Sequence, residues 1–224
     1  MKRSFLYISS VAQKAWMALL GLFLITFLVI HLGINLFLLR NDGGMWFNAA
    51  AHFMGTNYVI KVLEVILFGG FIFHILLGVI LQIRNWMSRP VRYKILNRTP
   101  TPFLSKYMIY TGIIVGIFLW IHLMNFYFIK FGWTKNPVAP LESGEPNFFE
   151  VSRWLFQQPY YSILYIVLII ILGFHLYHAF QSAFQSLGLN HKKYTPFITG
   201  FGLVYSIVIP LGFIIIPLYF LLIL

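Results

Sequence analysis

Ala18–Leu39 reads ALLGLFLITFLVIHLGINLFLL, twenty-two residues whose one ionisable side chain is His31. At ~1.5 Å per residue a helix of this length covers about 30 Å, the thickness of a hydrocarbon layer. Extending the same reading along the chain predicts five helices, at about residues 15–39, 58–83, 107–131, 160–184 and 197–223. Four of them carry a deep histidine, His31, His74, His122 and His175, each eight or nine residues before its segment ends. An ionisable group in hydrocarbon costs several kcal/mol unless it is partnered, so four of them point to a function. Paired imidazoles in a helical bundle point to axial ligation of haem iron.

Composition sets the class. The 224 residues are 60% hydrophobic and 9% charged, against about a quarter charged in soluble domains, and mean hydropathy is +0.83. The expected fold is all-α and polytopic: one membrane domain over residues 1–224, with helices 1–4 forming a haem-binding four-helix bundle and a peripheral fifth helix kinked by Pro210 and Pro217. The first apolar run is too long for a signal peptide and lacks a small-residue cleavage site, so it is expected to be retained. The absence of cysteine excludes disulfides, iron–sulfur clusters and covalently attached haem.

A net charge of +11 resembles a nucleic-acid signal until its distribution is followed. Eleven basic residues and no acid fall on one side of the five helices: Lys2, Arg3, Lys14, Arg84, Arg89, Arg92, Lys94, Arg98, Lys106, Lys192 and Lys193. Arg40, Lys61, Lys130, Lys135 and Arg153 share the other side with all five acids, Asp42, Glu64, Glu142, Glu145 and Glu150. The split is a topology signal and gives no reason to expect nucleic acid. It predicts a cytoplasmic N-terminus and an outer C-terminus. The basic face suits an acidic partner or anionic lipid, and the proline-rich stretch Ser88–Pro102 reads as a loop on which a partner could sit. Trp46–Met54 is expected to form a short interfacial helix, and Gly132–Pro159 an outer loop over the bundle.

With that topology the histidines fall into two layers. His31 and His122 lie in the outer half, His74 and His175 in the cytoplasmic half, and each layer offers the two facing imidazoles of a six-coordinate haem. Glycines near them (Gly33, Gly69, Gly70, Gly78, Gly112, Gly116, Gly173) would admit a flat macrocycle or let helices approach closely. His178, one turn beyond His175, is a second candidate on the fourth helix. A hydrogen-bonded interior histidine remains the plain alternative for each.

The histidine order, the run Phe47-Asn48-Ala49-Ala50-Ala51-His52-Phe53-Met54, and the stretches Phe27–Leu32, Ile72-Phe73-His74, Trp120-Ile121-His122 and Gly173-Phe174-His175 together resemble the cytochrome b anchor of succinate:quinone oxidoreductases, in its single-subunit, five-helix, di-haem form. The resemblance covers essentially the whole chain. It implies two haem b groups, the outer one on His31 and His122 and the cytoplasmic-side one on His74 and His175. It implies flavoprotein and iron–sulfur partner subunits on the cytoplasmic face of a bacterial inner membrane, and electron exchange with membrane quinone of the menaquinone type. The chain has no residues for succinate or fumarate chemistry itself. His178 and Arg84 are candidates for contacts to a haem propionate, with snorkelling the ordinary role for Arg84. Two residue sets are candidates for quinone: His52 with Asn48 on the outer side, and Ser9, Ser10 and Lys14 on the cytoplasmic side. Two features depart from the family. Gly173 stands where some members carry a proton-conducting glutamate, and His178 where relatives often have asparagine. A cytochrome b anchor of a hydrogenase or formate dehydrogenase, or a haem-free transporter, are the readings left open beside it.

Overall fold

The computed structural model describes residues 9–87 and 107–223, which form helices and connections with no strand among them. The helices are α1 (Ser10–Asn35), α2 (Met45–Thr56), α3 (Tyr58–Met87), α4 (Met108–His122), α5 (Phe148–Phe156), α6 (Pro159–Ser186) and α7 (Thr195–Leu222). Five helical segments are long and apolar enough to cross a membrane: Val11–Leu39, Tyr58–Met87, Met108–Phe131, Pro159–Ser186 and Thr195–Leu222. The protein is an all-α, multi-pass membrane protein. The loop Ser88–Pro102 and the basic residues Lys2, Arg3, Arg89, Arg92, Lys94, Arg98 and Lys106 lie outside the described residues.

Local chemistry sets the ends of these helices. The Ser9 hydroxyl caps α1 by accepting from the Ala12 amide at 3.2 Å, which satisfies one of the donors a helix start leaves open. Pro159 opens α6, where its missing N–H would have had no partner. The third span does not end as a plain α-helix. After His122 it widens into a π turn over Leu123–Tyr127 and tightens to a 3-10 turn over Phe128–Phe131. The Thr134 hydroxyl donates to the Met124 carbonyl at 2.8 Å and so occupies one acceptor of this irregular stretch.

The short helix expected at Trp46–Met54 is present as α2. The stretch Gly132–Pro159 contains a helix that the sequence reading assigned to loop. Asn147 caps it by accepting from the Glu150 amide at 3.2 Å, and Phe149, Val151, Ser152, Leu155 and Phe156 are buried on one face. Four prolines and three glutamates dominate the local composition, yet Pro146 and Pro159 flank this helix and do not interrupt it. Residues of α2, α5, α6 and α7 share an aromatic cluster at this end, centred on Phe47, Phe149, Phe156, Tyr165 and Phe220.

A second cluster, with Ile25, Leu32, Leu172, Leu176, Phe180, Tyr205 and Ile209, joins α1, α6 and α7 along mid-membrane. The Tyr205 hydroxyl donates to the Ile25 carbonyl at 2.6 Å. Glycines make this wall tight: a Cβ on Gly202 would sit 2.6 Å from the Phe180 ring, and one on Gly212 2.7 Å from Leu32. Without a hydrophobic drive between helices in lipid, such close packing is what holds spans together. Pro210 and Pro217 sit on the buried face of a continuous α7. The α3 and α4 spans are far less enclosed, with 11% and 6% of their most apolar windows buried, against 44% and 39% for α6 and α7.

Gly44 shows how the end cluster is pinned. It has φ +83° at the start of α2, a conformation that side chains rarely adopt, and an added Cβ would overlap the Phe149 ring. Gly44→Ala is therefore expected to lower stability by roughly 2–4 kcal/mol, summing left-handed strain and overpacking. Thermal unfolding in detergent measures it, and Gly33→Ala, whose Cβ meets nothing within 4 Å, is the matched control expected to show no loss.

Candidate functional site

His31 on α1 and His122, the last residue of α4, face each other with ring centroids 5.7 Å apart and planes at 89°. Two imidazoles on opposite faces of one metal would have ring centres about 6 Å apart, given metal–nitrogen bonds of about 2 Å. Phe27 stacks on His31 at 5.2 Å, and Phe126 lies 5.1 Å from His122. The π turn that follows His122 carries Asn125 inward, where it donates to the Tyr165 hydroxyl at 3.0 Å. Asn35, one turn beyond His31, donates to the His31 carbonyl at 2.8 Å and places its amide nitrogen 3.4 Å from the ring. Both imidazoles line a cavity of about 200 Å³, together with Asn35, Phe47, Ala51 and Ser152. Cofactor pockets run to roughly 300–1,000 Å³. A macrocycle gripped by this pair would have to extend from the cavity between the spans, and α3 and α4 are the loosely packed ones.

The second pair lies nearer the basic end, where α1 begins and α3 and α6 finish. His31 is 21 residues above the first residue of α1 (31 − 10) and His74 is 13 above the last of α3 (87 − 74). The two levels therefore differ by about 12 Å along the membrane normal, at ~1.5 Å per residue. His74 and His175 stand at similar levels, 13 and 11 residues from the last residues of α3 and α6 (87 − 74, 186 − 175). The Thr111 hydroxyl donates to the Met108 carbonyl at 2.9 Å and meets His175 Nδ1 at 3.3 Å. With the hydroxyl proton on the Met108 carbonyl, Thr111 accepts from His175 Nδ1, and that tautomer leaves the Nε2 lone pair available to a metal, the arrangement a ligating histidine needs. His74 Nδ1 is buried with no hydrogen-bond partner among the described residues.

Two glycines stand against these rings. A Cβ on Gly112 would lie 3.5 Å from His175 Cε1, and one on Gly21 3.7 Å from His74 Cε1. Of the glycines singled out in the sequence, Gly112 alone has this role. Gly70 packs under Phe23, Gly78 under Met17 and Gly173 under Pro210, while Gly33, Gly69 and Gly116 have nothing within 4 Å. Gly21 and Thr111 were not legible as site residues, because each acts on a histidine of another helix.

The remaining candidates fall in different places. His178 is 9% exposed, and its Nε2 has no partner among the described residues. His175, not His178, meets Thr111 and Gly112. Arg84 Nη1 donates to Gln13 Oε1 at 2.6 Å. Ser9 is the α1 cap, Ser10 is the first residue of that helix, and Lys14 is exposed. Asn48 donates to Asn147 at 2.9 Å and accepts from the Phe149 amide at 3.1 Å, which ties α2 to α5. His52 pairs with Glu145 at 2.9 Å on the surface. Neither Asn48 nor His52 lines the cavity. Lys61, Glu64 and Lys130, which the sequence supplied only as charges, form one cluster with Tyr127. Lys61 pairs with Glu64 at 3.0 Å, the Tyr127 hydroxyl donates to Glu64, and Lys130 reaches the Gly55 carbonyl at 3.4 Å.

Among the described residues no three His, Asp or Glu side chains converge as ligands for a single ion. What the bundle offers is one facing pair of imidazoles, His31 and His122, and two more, His74 and His175, nearer the basic end, donor sets that complete a metal's coordination only if a further group supplies the other ligands. A tetrapyrrole does so with four in-plane nitrogens, and the facing rings of the first pair and the glycines against His74 and His175 fit it. Comparison with protein-family models, with curated proteins and with solved structures finds no match for this chain.

Proposed function

We propose that this chain is the membrane anchor and electron-transfer subunit of a succinate:quinone oxidoreductase in a bacterial cytoplasmic membrane. In this reading His31 and His122 hold the outer of two b haems and His74 and His175 the inner. The basic end receives the iron–sulfur subunit and its flavoprotein partner, and membrane quinone, of the menaquinone type, exchanges electrons with the chain. The observation that carries the reading is the 5.7 Å His31–His122 pair, with a second histidine pair about 12 Å away along the normal. Bound between such pairs, haem supplies a one-electron carrier in each half of the bilayer. Thr111 meets His175 Nδ1 at 3.3 Å and Asn35 donates to the His31 carbonyl at 2.8 Å, contacts that would help keep the imidazoles in register.

The test is a reduced-minus-oxidised visible spectrum of the protein purified with its native partners, with haem quantified per chain and succinate as reductant. Two b-type haems per chain, at least one reduced by succinate, is the expected result. Haem-free protein would overturn the reading, and co-purification with a nickel or molybdenum subunit in place of a flavin-containing pair would move it to another respiratory enzyme.

A further inference from the structure

Lys61, Glu64, Tyr127 and Lys130 meet at the end of the bundle opposite the basic one. Glu64 Oε2 accepts from the Lys61 ammonium at 3.0 Å, and its Oε1 accepts from the Tyr127 hydroxyl. Both carboxylate oxygens are thereby engaged. Lys130, three residues beyond Tyr127, adjoins the Lys61 ammonium, and it donates to the Gly55 carbonyl at 3.4 Å with the Phe131 ring 5.8 Å away. An ammonium carries three donors and no acceptor, so two of them side by side repel and cannot bond each other. Glu145 is already paired with His52 at 2.9 Å. Two cations thus share one carboxylate.

Their depth is that of a headgroup layer. Lys61 and Glu64 lie three and six residues into α3 (61 − 58, 64 − 58), about 5 and 9 Å from its end. Lys130 is the last residue but one of the third span. Tyr58 and Trp133, at the same end, are exposed, as aromatic residues at a membrane interface are. Below the lysines the surface turns apolar. Val65 and Ile72 follow Lys61 by four and eleven residues (65 − 61, 72 − 61), which puts them on its face of the helix, and both are exposed. An anion held by the lysines can therefore carry acyl chains down that face.

We infer that Lys61 and Lys130 hold the phosphate of a phospholipid of net negative charge, whose acyl chains lie along the exposed face of α3. The site needs no haem. A phosphodiester between the two ammonium groups accepts from both and relieves their repulsion, and lysine serves phosphate as a point charge. Glu64 holds Lys61 and the Gly55 carbonyl holds Lys130, so both lysines are in position before a lipid arrives. A zwitterionic headgroup fits less well, because its ammonium would add a third cation where both oxygens of the one carboxylate are taken. A neutral quinone brings no charge to match.

The experiment titrates the intact protein, delipidated in detergent, with phosphatidylglycerol or phosphatidylethanolamine and reads the lipid-bound states by native mass spectrometry. Lys61→Gln and Lys130→Gln are each expected to weaken phosphatidylglycerol binding about fivefold, the effect of one lysine facing anionic lipid, and to leave phosphatidylethanolamine binding unchanged. Glu64→Gln removes the one matching charge and is expected to tighten phosphatidylglycerol binding by about the same factor. Equal phosphatidylglycerol affinity in wild type and both lysine variants overturns the inference. Should the variants fail to fold, the wild type decides: a phosphatidylglycerol with a photoreactive headgroup is expected to label residues 55–64 or 127–134, and label confined to other segments overturns the proposal. Displacement of that label by inorganic phosphate, but not by chloride at equal ionic strength, would make the free anion the ligand and overturn it as well.

Discussion

His122→Ala is expected to cut haem from two groups per chain to one and to abolish one bis-histidine low-spin signal, while His52→Ala retains both. His122 supplies one of only two imidazoles at its level, 5.7 Å from His31. The rings around it, Phe118, Phe126 and Tyr165, offer no nitrogen ligand to replace it. Asn35 is the nearest polar alternative to His31, and a neutral amide is a poor substitute for imidazole at iron. His52, by contrast, is exposed and engaged with Glu145. Haem extraction and low-temperature electron paramagnetic resonance read the result. Two low-spin haems in His122→Ala would sink the assignment of the outer pair. The same measurement on His175→Ala and His178→Ala separates the two histidines of α6, with loss expected for the first and retention of both haems for the second.

Gly173→Glu is expected to destabilise the fold by on the order of 3–5 kcal/mol, the cost of a buried charge without a partner. A Cβ at residue 173 would lie 3.1 Å from the Pro210 ring and 3.1 Å from the Ser206 carbonyl oxygen. The side chain would therefore force α7 outward and set a carboxylate against a carbonyl, acceptor against acceptor. Gly173→Ala meets the same atoms with a methyl group and should cost about 1 kcal/mol. Thermal unfolding in detergent ranks the variants. An equal melting temperature for Gly173→Glu and wild type would mean that α6 and α7 do not meet at this point. The contact also gives a physical reason for glycine at this position: α7 fills the place a longer side chain would need.

The five spans were legible because hydropathy over twenty residues is a strong signal, and the pairing of levels was legible because helix rise is constant. The partners of the histidines were not. Gly33 and Gly173 sit two residues from a histidine in sequence, but at about 100° per residue they point to the far side of the helix. Gly21 and Gly112, which do meet imidazoles, are ten or more residues from the nearest histidine on their own helix. Thr111, Gln13 and Arg84 act across helices, and nothing in the local pattern of α1 or α4 announces a partner on α3 or α6. α5 was hidden for another reason: nine residues are too few for periodicity to outweigh the prolines at both ends.

The tight wall of the molecule is made by α1, α6 and α7, elements far apart in sequence, with α3 and α4 between them along the chain. That half of the protein therefore cannot form before α7 has been made. Until α7 is in place, the face of α6 that carries Gly173 lacks its neighbour. Once it is, the wall it completes is the better packed one, and the α3 and α4 side offers the easier way in from the membrane.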